Sequence, residues 1–452
     1  MSTVRDFGAR GDGRTDDTQA LQHAIGRVDG QLTFTRGEYV ITRPLQIPLQ
    51  MHGRMHISGE GGTARIRMNA AGPALHLVGT HRGTAAPNSV EDRVWQQQRM
   101  PTVRDLEIVG GNAMSDGIRI DGVMQPTIQG VLIRNCRHGI HLTNRNRNVI
   151  INNCQIYDNS GIGVFLDRVN LHQIIINANH ISYCKMGGIK VSDSEIRNFQ
   201  ICSNDIEYNH DTEAQTSADV LLDCRNGTVR EGTIVGNTIQ AVGTPNGANV
   251  RFLGVGANNP NAVGLWAITG NLIGSQTTAI DLQASRGVTV TGNSIYSGYH
   301  HALRIENSDH IVIGSNTIDH NPEYRGNSTD QILLRNSRNI SLNGLVIQHT
   351  FEPEVAVDSS VEVRNCENVH ITGCQLINAR QRGLHLIGSR TVMIQANTIR
   401  GRAGDDAYRL AILADAQCRR VMAVNNFLDP GRMGAVQLPE GTGQASGNVE
   451  LD

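Results

Sequence analysis

The stretch Gly139-Ile140-His141-Leu142-Thr143 carries the pattern that decides the fold. Its apolar residues alternate with polar ones, which is the period-2 pattern of a strand with one buried face. A Gly followed by such a short strand recurs at residues 117–121, 163–167, 188–192 and 383–386. Related strands without the Gly occur at 220–223, 280–283, 303–306, 332–335 and 361–364. The recurrence predicts one such strand in every coil of a repeat structure.

The spacing of these strands indicates how the coils are arranged. Successive strands begin 22 to 31 residues apart, which is the period of a solenoid with stacked coils. In many coils an Asn also stands two positions before an Ile or Leu, and stacked Asn side chains can hydrogen-bond along a ladder. These positions are Asn179, Asn204, Asn237, Asn271, Asn293, Asn316, Asn397 and Asn426, with Cys154 and Cys374 in two other coils. The sequence therefore predicts an all-β, single-stranded parallel β-helix of about 12 to 13 coils.

Composition narrows the class of protein. With 49 Gly and 4% aromatic residues among 452, the chain suits many short strands joined by tight turns. The formal charge of -2, without any run of Lys or Arg, argues against nucleic acid as a partner. The sequence has no run of about 18 apolar residues, so no membrane partner is expected.

The cysteines and the N-terminus bear on the cellular compartment. The eight Cys form no CxxC pair, so we expect small buried thiols rather than disulfides, which favours a reducing compartment. The N-terminus has no basic segment followed by an apolar one, the pattern of a signal peptide. Localisation stays unknown on these grounds: cytoplasmic as the chain is given, secreted if a signal was removed.

The N-terminal segment combines a helix with two strands. The helix is predicted after Asp16 and Asp17, either of which is placed to cap its start. The strands are predicted at 32–34 and 39–41, on either side of a turn.

This segment, DFGARGDGRTDDTQALQHAI followed by LTFTRGEYVI and PLQI, resembles the opening of the pectate-lyase-superfamily proteins. That superfamily includes polygalacturonase-like hydrolases, phage tailspike depolymerases and mannuronan epimerases. The resemblance implies a right-handed parallel β-helix with an N-terminal capping helix, and it is compatible with a homotrimer. We therefore expect an N-terminal cap at 1–50, the β-helix at 51–440 and a C-terminal end strand at 441–452.

The second and fourth residues of each repeated strand are predicted to point away from the core. Asp121, Asp167 and Asp223 then share one outward column at two-coil intervals, about 9 to 10 Å apart if coils stack at about 4.8 Å. This distance is close to the upper end of the roughly 6.5 to 9.5 Å between the carboxyls of an inverting glycosidase. His141 and Lys190 lie near this column and can separate the proton affinities of two carboxylates.

We therefore predict a glycoside hydrolase that cleaves a poly- or oligosaccharide bound along the outward groove, without a required cofactor. The predicted catalytic residues are Asp167, Asp223, Lys190 and His141. The predicted substrate-binding residues are Arg119, Asp121, Arg168, Asp193, Tyr208, His210, Asp211, Glu213 and Arg251.

Two other functions fit the same residues. In a polysaccharide lyase, Lys190, His141 or an Arg would take the C5 proton of a uronic acid, while a divalent cation such as calcium neutralises its carboxylate. A non-catalytic glycan-binding or structural β-helix would carry the same charges for solubility and against edge aggregation. The sequence does not reproduce the motif series of the polygalacturonases or the Asp-Pro-His motif of the epimerases, so the catalytic residues of those enzymes cannot be carried over.

Overall fold

The computed structural model describes residues 2–211, 217–256, 259–324, 327–349, 355–402, 404 and 406–451. The chain divides into two compact units, Met1–Gly232 and Thr233–Asp452. The described residues form about 17 turns of a right-handed parallel β-helix, which confirms the predicted fold class. The number of turns exceeds the predicted 12 to 13 because the turns before Gly117 lack the repeated Gly-strand pattern from which the coils were counted.

The first unit contains three parallel sheets, and two long strands bend from sheet 1 into sheet 2. Sheet 1 contains Leu45–Pro48, Gly72–Val78, Ser115–Asp121, Ile189–Ser192, Ala218–Asp223 and the first parts of Ile140–Asn152 and Val164–Asn177. Sheet 2 contains Gln31–Phe34, His56–Gly59, Thr102–Arg104, Thr127–Gln129, Glu195–Cys202, Thr228–Val235 and the second parts of the two long strands. Sheet 3 contains Asp12–Asp16, Gly37–Ile41, Ala64–Met68, Glu107–Gly110, Leu132–Arg134, Gln155–Tyr157, His180–Ser182 and Asp205–Glu207.

The helices of the first unit are short, and the predicted N-terminal helix is among them. Its first turn is held by Asp16, whose Oδ1 accepts the Thr18 N–H at 3.0 Å. Asp17 occupies the N-cap position, but its carboxylate accepts the N–H groups of Arg10 and Gly11 instead. The helical segments are Val4–Phe7, Thr18–Ile25, Leu49–His52, Pro87–Ser89 and Val94–Gln98.

The second unit also has three parallel sheets, and two of its long strands run from sheet 3 into sheet 1. Its sheet 1 contains Ala248–Leu253, Gln331–Arg335, Ser359–Arg364, Arg382–Ile387, Leu410–Ala414, Val436–Gln437 and the last parts of Leu272–Gln283 and Ser294–Glu306. Its sheet 2 contains Val263–Thr269, Arg286–Thr291, Asp309–Ile313, Arg338–Asn343, Glu367–Thr372, Arg390–Gln395, Arg419–Val424 and Gly443–Ser446. Its sheet 3 contains Thr238–Gln240, Thr317–Asp319, Val346–Gln348, Gln375–Ala379, Thr398–Gly401, Phe427–Leu428, Val449–Glu450 and the first parts of the two long strands.

The core of each unit lies between its sheets and is filled by the alternating apolar residues. In the first unit the leading apolar residues of the repeated strands are completely buried and in register, as the alternation predicts. They are Ile118, Ile140, Val164, Ile189 and Val220.

The predicted Asn ladder is present inside the turns. Asn179 accepts the Cys154 N–H on its Oδ1 at 2.9 Å, and its Nδ2 donates to Ile151 O at 3.1 Å and to Asn204 Oδ1 at 2.9 Å. Each amide thus satisfies backbone groups that the turn takes away from the sheets. In the second unit the same ladder joins Asn237, Asn271, Asn293 and Asn316, and a further run joins Cys374, Asn397, Asn426 and Asn448.

Close packing between coils explains the Gly that precedes the repeated strand. A Cβ on Gly139 would lie 2.5 Å from the Gly163 carbonyl oxygen and 2.7 Å from Ile156 Cγ2. Gly117 and Gly163 meet equivalent neighbours in their own coils. Gly at these positions therefore lets consecutive coils approach where each sheet 1 strand begins.

All eight Cys are free thiols, seven of them buried, as the sequence predicts. Burial raises the pKa of Cys184 to about 12, so this thiol is unreactive at neutral pH. None of the helices in the described ranges is both long and apolar enough to cross a membrane.

Candidate active site on sheet 1 of the first unit

The strand register aligns the predicted columns on sheet 1. In one column Arg119 pairs with His76 on one side and with His141 on the other. Phe165 follows His141 and pairs with Lys190, which in turn pairs with Leu221. The charged and aromatic residues of this column therefore lie one strand apart, about 4.8 Å from one to the next.

The second column contains the three predicted aspartates. Asp121 pairs with Thr143, and Asp167 pairs with Ser192, which pairs with Asp223. Thr143 and Asp167 follow directly on a paired Leu142 and Leu166. Neighbouring aspartates of the column are thus two strands apart, which corresponds to about 9 to 10 Å between their backbones.

Asp167 contacts two basic side chains through one of its oxygens. Its Oδ2 accepts a hydrogen bond from Arg168 Nη2 at 2.9 Å and lies 3.3 Å from His141 Nε2. The side chains of Asp167 and His141 are each only 12% exposed, whereas Arg168 extends into solvent. Asp167 therefore combines a guanidinium and an imidazole at one oxygen and leaves its Oδ1 for other contacts.

Asp223 is held differently. Arg225 donates from Nε to Oδ1 at 2.8 Å and from Nη2 to Oδ2 at 2.6 Å, so both oxygens are engaged. Burial alone would raise the pKa of Asp223, but the hydrogen bonds from Arg225 and the charge of Lys190 outweigh it and hold the pKa below its usual value. Asp223 is therefore a fixed anion at neutral pH.

Asp121 stands beside two other polar groups whose buried atoms lack a partner. Asp121 Oδ1, Arg119 Nε and His76 Nε2 are shielded from solvent and make no hydrogen bond within the described part of the chain. A buried polar atom without a partner in the chain is a candidate contact for water or a ligand. Burial and the charge of Arg119 lower the pKa of His76 to about 4, so this imidazole is neutral at pH 7.

His141 belongs to a small aromatic cluster. Its ring stacks on Phe165 with centroids 5.1 Å apart and 16° between the planes, and His138 lies 5.1 Å from the same Phe165. Burial lowers the pKa of His141 even though the charge of Asp167 opposes it, and burial lowers the pKa of His138 to about 4. His138 Nδ1 accepts the Ile162 N–H at 3.1 Å, so the proton of the neutral ring is on Nε2.

A basic cleft borders this site where the chain leaves sheet 1. Arg168 lines it together with Arg82 and Arg145, and the acidic Asp193 and Glu195 line it as well. The cleft, of about 470 Å³, thus offers three guanidinium groups to an anionic or hydroxyl-rich ligand beside Asp167. Asp193 also accepts a hydrogen bond from Asn226 at 2.9 Å.

Of the predicted substrate-binding residues, Tyr208, His210, Asp211 and Arg251 lie elsewhere. Tyr208 follows the last strand of sheet 3 rather than facing the sheet 1 groove, and His210 and Asp211 continue from it in the connection toward Ala218–Asp223. Glu213 lies outside the described residues. The prediction that Arg251 faces the groove is wrong, because this residue of the second unit is 4% exposed and its guanidinium binds the buried Asp281 at 2.8 Å.

Sequence reasoning missed two residues of the site. His76 was not included because its strand lacks the Gly signature, although Leu75-His76-Leu77 has the same alternation as Ile140-His141-Leu142. His138 precedes the strand, so no alternation pattern could assign it an orientation.

Two groups of side chains in the described ranges have ligand atoms close enough together for a metal ion. One is His180, Asp205 and Glu207 on sheet 3 of the first unit, and the other is Asp358, Glu362 and His385 in the second unit. Neither group includes Asp121, Asp167 or His141.

The sequence matches two protein families. The family described as "Right handed beta helix region" matches residues 116–272 and 253–428, more than half of the chain. The chain belongs to the right-handed β-helix proteins of the pectate lyase superfamily. The family described as "Rhamnogalacturonase A/epimerase, pectate lyase-like" matches residues 1–94, which confirms the resemblance of the N-terminal segment.

Several solved structures are similar to this chain at low sequence identity. Pre-mature bacteriophage phi29 gene product 12 has a TM-score of 0.56 and 14% identity, covering 98% of this chain and 56% of that one. The A-module of Azotobacter vinelandii mannuronan C-5 epimerase AlgE6 has a TM-score of 0.44 and 14% identity, covering 100% of both chains. Geobacillus virus E2 ORF18 has a TM-score of 0.44 and 14% identity, covering 77% of this chain and 61% of that one. This β-helix chain thus spans less than two thirds of the two phage proteins, and no curated protein sequence matches it.

Proposed function

We propose that this protein is a carbohydrate-active enzyme that hydrolyses glycosidic bonds of a poly- or oligosaccharide bound across sheet 1 of the first unit. The observation that carries the proposal is the contrast between Asp121 and Asp167. They lie in one outward column two strands apart, yet Asp167 is held by a guanidinium and Asp121 has a shielded oxygen without a partner. Hydrolysis with inversion needs two carboxyls in such unlike surroundings, separated widely enough to admit a water molecule.

The contrast assigns a role to each carboxyl. Arg168 donates a hydrogen bond to Asp167, so we assign the base role to Asp167, which takes a proton from water as the water oxygen attacks the anomeric carbon. A glycan lying over Asp121 would complete the desolvation of a carboxyl whose buried Oδ1 already makes no hydrogen bond within the described part of the chain, so we assign the acid role to Asp121. Asp121 then gives its proton to the leaving oxygen as the glycosidic bond breaks. One water is consumed, and Arg119 and Lys190 are placed to bind hydroxyl groups on either side.

Asp223 was the partner predicted for Asp167, and it stays a candidate. Its geometry favours binding over proton transfer, because Arg225 occupies both oxygens and lowers its pKa. Asn variants of the three aspartates distinguish these roles. We expect Asp121→Asn and Asp167→Asn each to remove turnover, and Asp223→Asn to weaken substrate binding more than turnover.

A second candidate, β-elimination on a uronic acid glycan, is favoured by the state of His141. Burial keeps this imidazole neutral at pH 7, and its contact with Asp167 directs the Nε2 proton to the carboxylate. Nδ1 is then a lone-pair nitrogen that can take the C5 proton, with Arg119 and Arg168 near enough to pair with a uronate. The expected divalent cation, such as calcium, belongs to this candidate.

The experiment is a screen of neutral and acidic polysaccharides with two readouts, new reducing ends and the ultraviolet absorbance of unsaturated uronides. Hydrolysis produces the first without the second, and elimination produces both. Polysaccharide binding without either product would instead support the non-catalytic reading. The Asp121→Asn and Asp167→Asn variants are run beside the parent protein, and full turnover in either one would contradict the proposed roles.

A further inference from the structure

A second cleft in the first unit lies on sheet 3, away from the aspartate column of sheet 1. It has a volume of about 360 Å³ and is open to solvent. Its walls come from two neighbouring strands, Gln155–Tyr157 and His180–Ser182, and from the residue that follows each. We call it the tyrosine cleft, and it is lined by Gln155, Tyr157, Asp158, His180, Ser182 and Tyr183.

Tyr183 and Tyr208 occupy turn positions whose backbone conformation is unusual for an aromatic residue. Four successive strands of sheet 3 are each followed by one residue with positive φ: Asn135 at 56°, Asp158 at 54°, Tyr183 at 54° and Tyr208 at 52°. Asn and Asp enter this left-handed region readily, whereas a bulky aromatic residue is unusual there. Two coils thus carry Tyr where the neighbouring coils carry the residues that suit the turn. Because two adjacent coils both place Tyr in a backbone conformation that aromatic residues rarely adopt, we infer that these side chains have a function.

The two rings form a rigid wall. Tyr183 and Tyr208 stack with centroids 5.5 Å apart and only 3° between the ring planes. Tyr183 is nevertheless 53% exposed, because Tyr208 covers one of its faces while the coil on the other side carries the smaller Asp158. An oriented aromatic face therefore borders the cleft, with carboxylate, amide and imidazole groups around it.

We propose that the tyrosine cleft binds one hexopyranose ring of a neutral polysaccharide. The apolar C–H face of the sugar packs on Tyr183, and its hydroxyl groups hydrogen-bond with Asp158, Gln155 and His180. Sites for small ligands usually combine an aromatic wall with a small number of polar groups that point toward the ligand.

The charge around the cleft selects a neutral sugar. None of its six lining residues is Lys or Arg, and Asp158 is acidic. Asp205 and Glu207 lie on the next strand, paired with His180 and Ser182. A uronate carboxylate would be repelled from this surface.

The test measures retardation of the full chain in native gels that contain dextran, laminarin, galactomannan, polygalacturonate or alginate. All proteins carry Asp121→Asn and Asp167→Asn, so that the gel polysaccharide is not consumed. Tyr183→Asn is the informative variant, because Asn suits the backbone conformation, as Asn135 shows, and removes only the ring. Tyr183→Phe retains the aromatic face, and Tyr324→Ala removes an exposed tyrosine of the second unit as a matched control.

We expect at least one neutral polysaccharide to retard the parent protein. The retardation constant should fall five- to tenfold in Tyr183→Asn and stay unchanged in Tyr183→Phe and Tyr324→Ala. Thermal unfolding of Tyr183→Asn should occur at the parent temperature or higher, which separates lost binding from lost folding. Tyr208→Asn, which removes the supporting ring, should show a smaller loss of binding.

The inference is overturned if no neutral polysaccharide retards the parent, if Tyr183→Asn is retarded like the parent, or if Tyr183 is needed only for polygalacturonate or alginate. It does not rest on hydrolysis at sheet 1. If the polysaccharide screen finds no cleavage, Tyr183-dependent retardation still stands, and cleavage without such retardation rejects the tyrosine cleft alone.

Discussion

Replacing Asp167 by Asn is the most direct test of the sheet 1 site. The substitution keeps the size and shape of the side chain and removes its charge. It affects two contacts, the 2.9 Å hydrogen bond from Arg168 and the 3.3 Å contact with His141. The polar atom of Asn can still meet one of them, so we expect the fold to persist.

The expected effects on stability and on catalysis differ in size. Arg168 is 73% exposed, so its ion pair adds little to stability, whereas the contact with the buried His141 contributes about 0.5 to 1.5 kcal/mol. The free energy of unfolding should therefore fall by about 0.5 to 1.5 kcal/mol. Loss of a general base lowers turnover by roughly 10² to 10⁴, equivalent to about 3 to 5 kcal/mol in the barrier. Urea unfolding and reducing-end release measure the two effects separately.

Asp309 provides a matched control. It also binds an Arg and a His, with Arg338 Nε at 2.9 Å and His310 Nδ1 at 2.6 Å, and its side chain is 17% exposed. Asp309→Asn should thus cost similar stability and leave turnover unchanged. Our reasoning is refuted if Asp167→Asn retains more than a tenth of the parent kcat/KM, or if Asp309→Asn loses as much activity.

Three further predictions concern the framework that positions the site. Asn179→Ala leaves the buried Cys154 N–H and Ile151 carbonyl unpaired, so the urea midpoint should fall by the equivalent of about 2 to 4 kcal/mol; an unchanged midpoint would contradict the ladder. Gly139→Ala forces a methyl group against the next coil and should cost about 1 to 3 kcal/mol by the same measurement. Burial lowers the pKa of three histidines of the first unit to about 4. Because the unfolded chain then takes up protons first as pH falls below about 6.5, stability should decrease from pH 7 to pH 5, and less steeply in His138→Gln.

The regular part of this fold could be predicted from sequence because its rules are local. Alternation of apolar and polar residues determines which side chains enter the core, and it placed Arg119, His141 and Lys190 correctly in one outward column. The Asn ladder was equally predictable, since each Asn repeats at the same distance from an apolar residue. Both features are determined by the residues within a single coil, and the same pattern recurs in the next coil.

The site was less predictable because it depends on contacts between residues that are not in the same repeat position. Arg225 engages both oxygens of Asp223 from beyond the end of the strand, which no alternation pattern reveals. Arg251 occupies a predicted outward position, but it is buried against Asp281 of the neighbouring strand. The direction of a side chain follows from the two-residue period of the strand. Which partner a long charged side chain finds depends instead on the residues packed around it.

In a repeat fold each coil can be compared with its neighbours at the same position. A residue that departs from its neighbours without a structural reason is then a candidate for function. An aspartate that any coil could carry for solubility says little, because charge on an outer face is ordinary. Asp121 is of more interest, since its shielded Oδ1 stands beside Arg119 Nε and His76 Nε2, and none of these three atoms makes a hydrogen bond within the described part of the chain. Tyr183 differs in the same sense, because the preceding coils fill its turn position with Asn or Asp at lower backbone cost. Both sites depart from the pattern of their neighbouring coils, and the proposed glycan would give each a role, as a ligand beside the carboxyl of Asp121 and as a cover for the exposed ring of Tyr183.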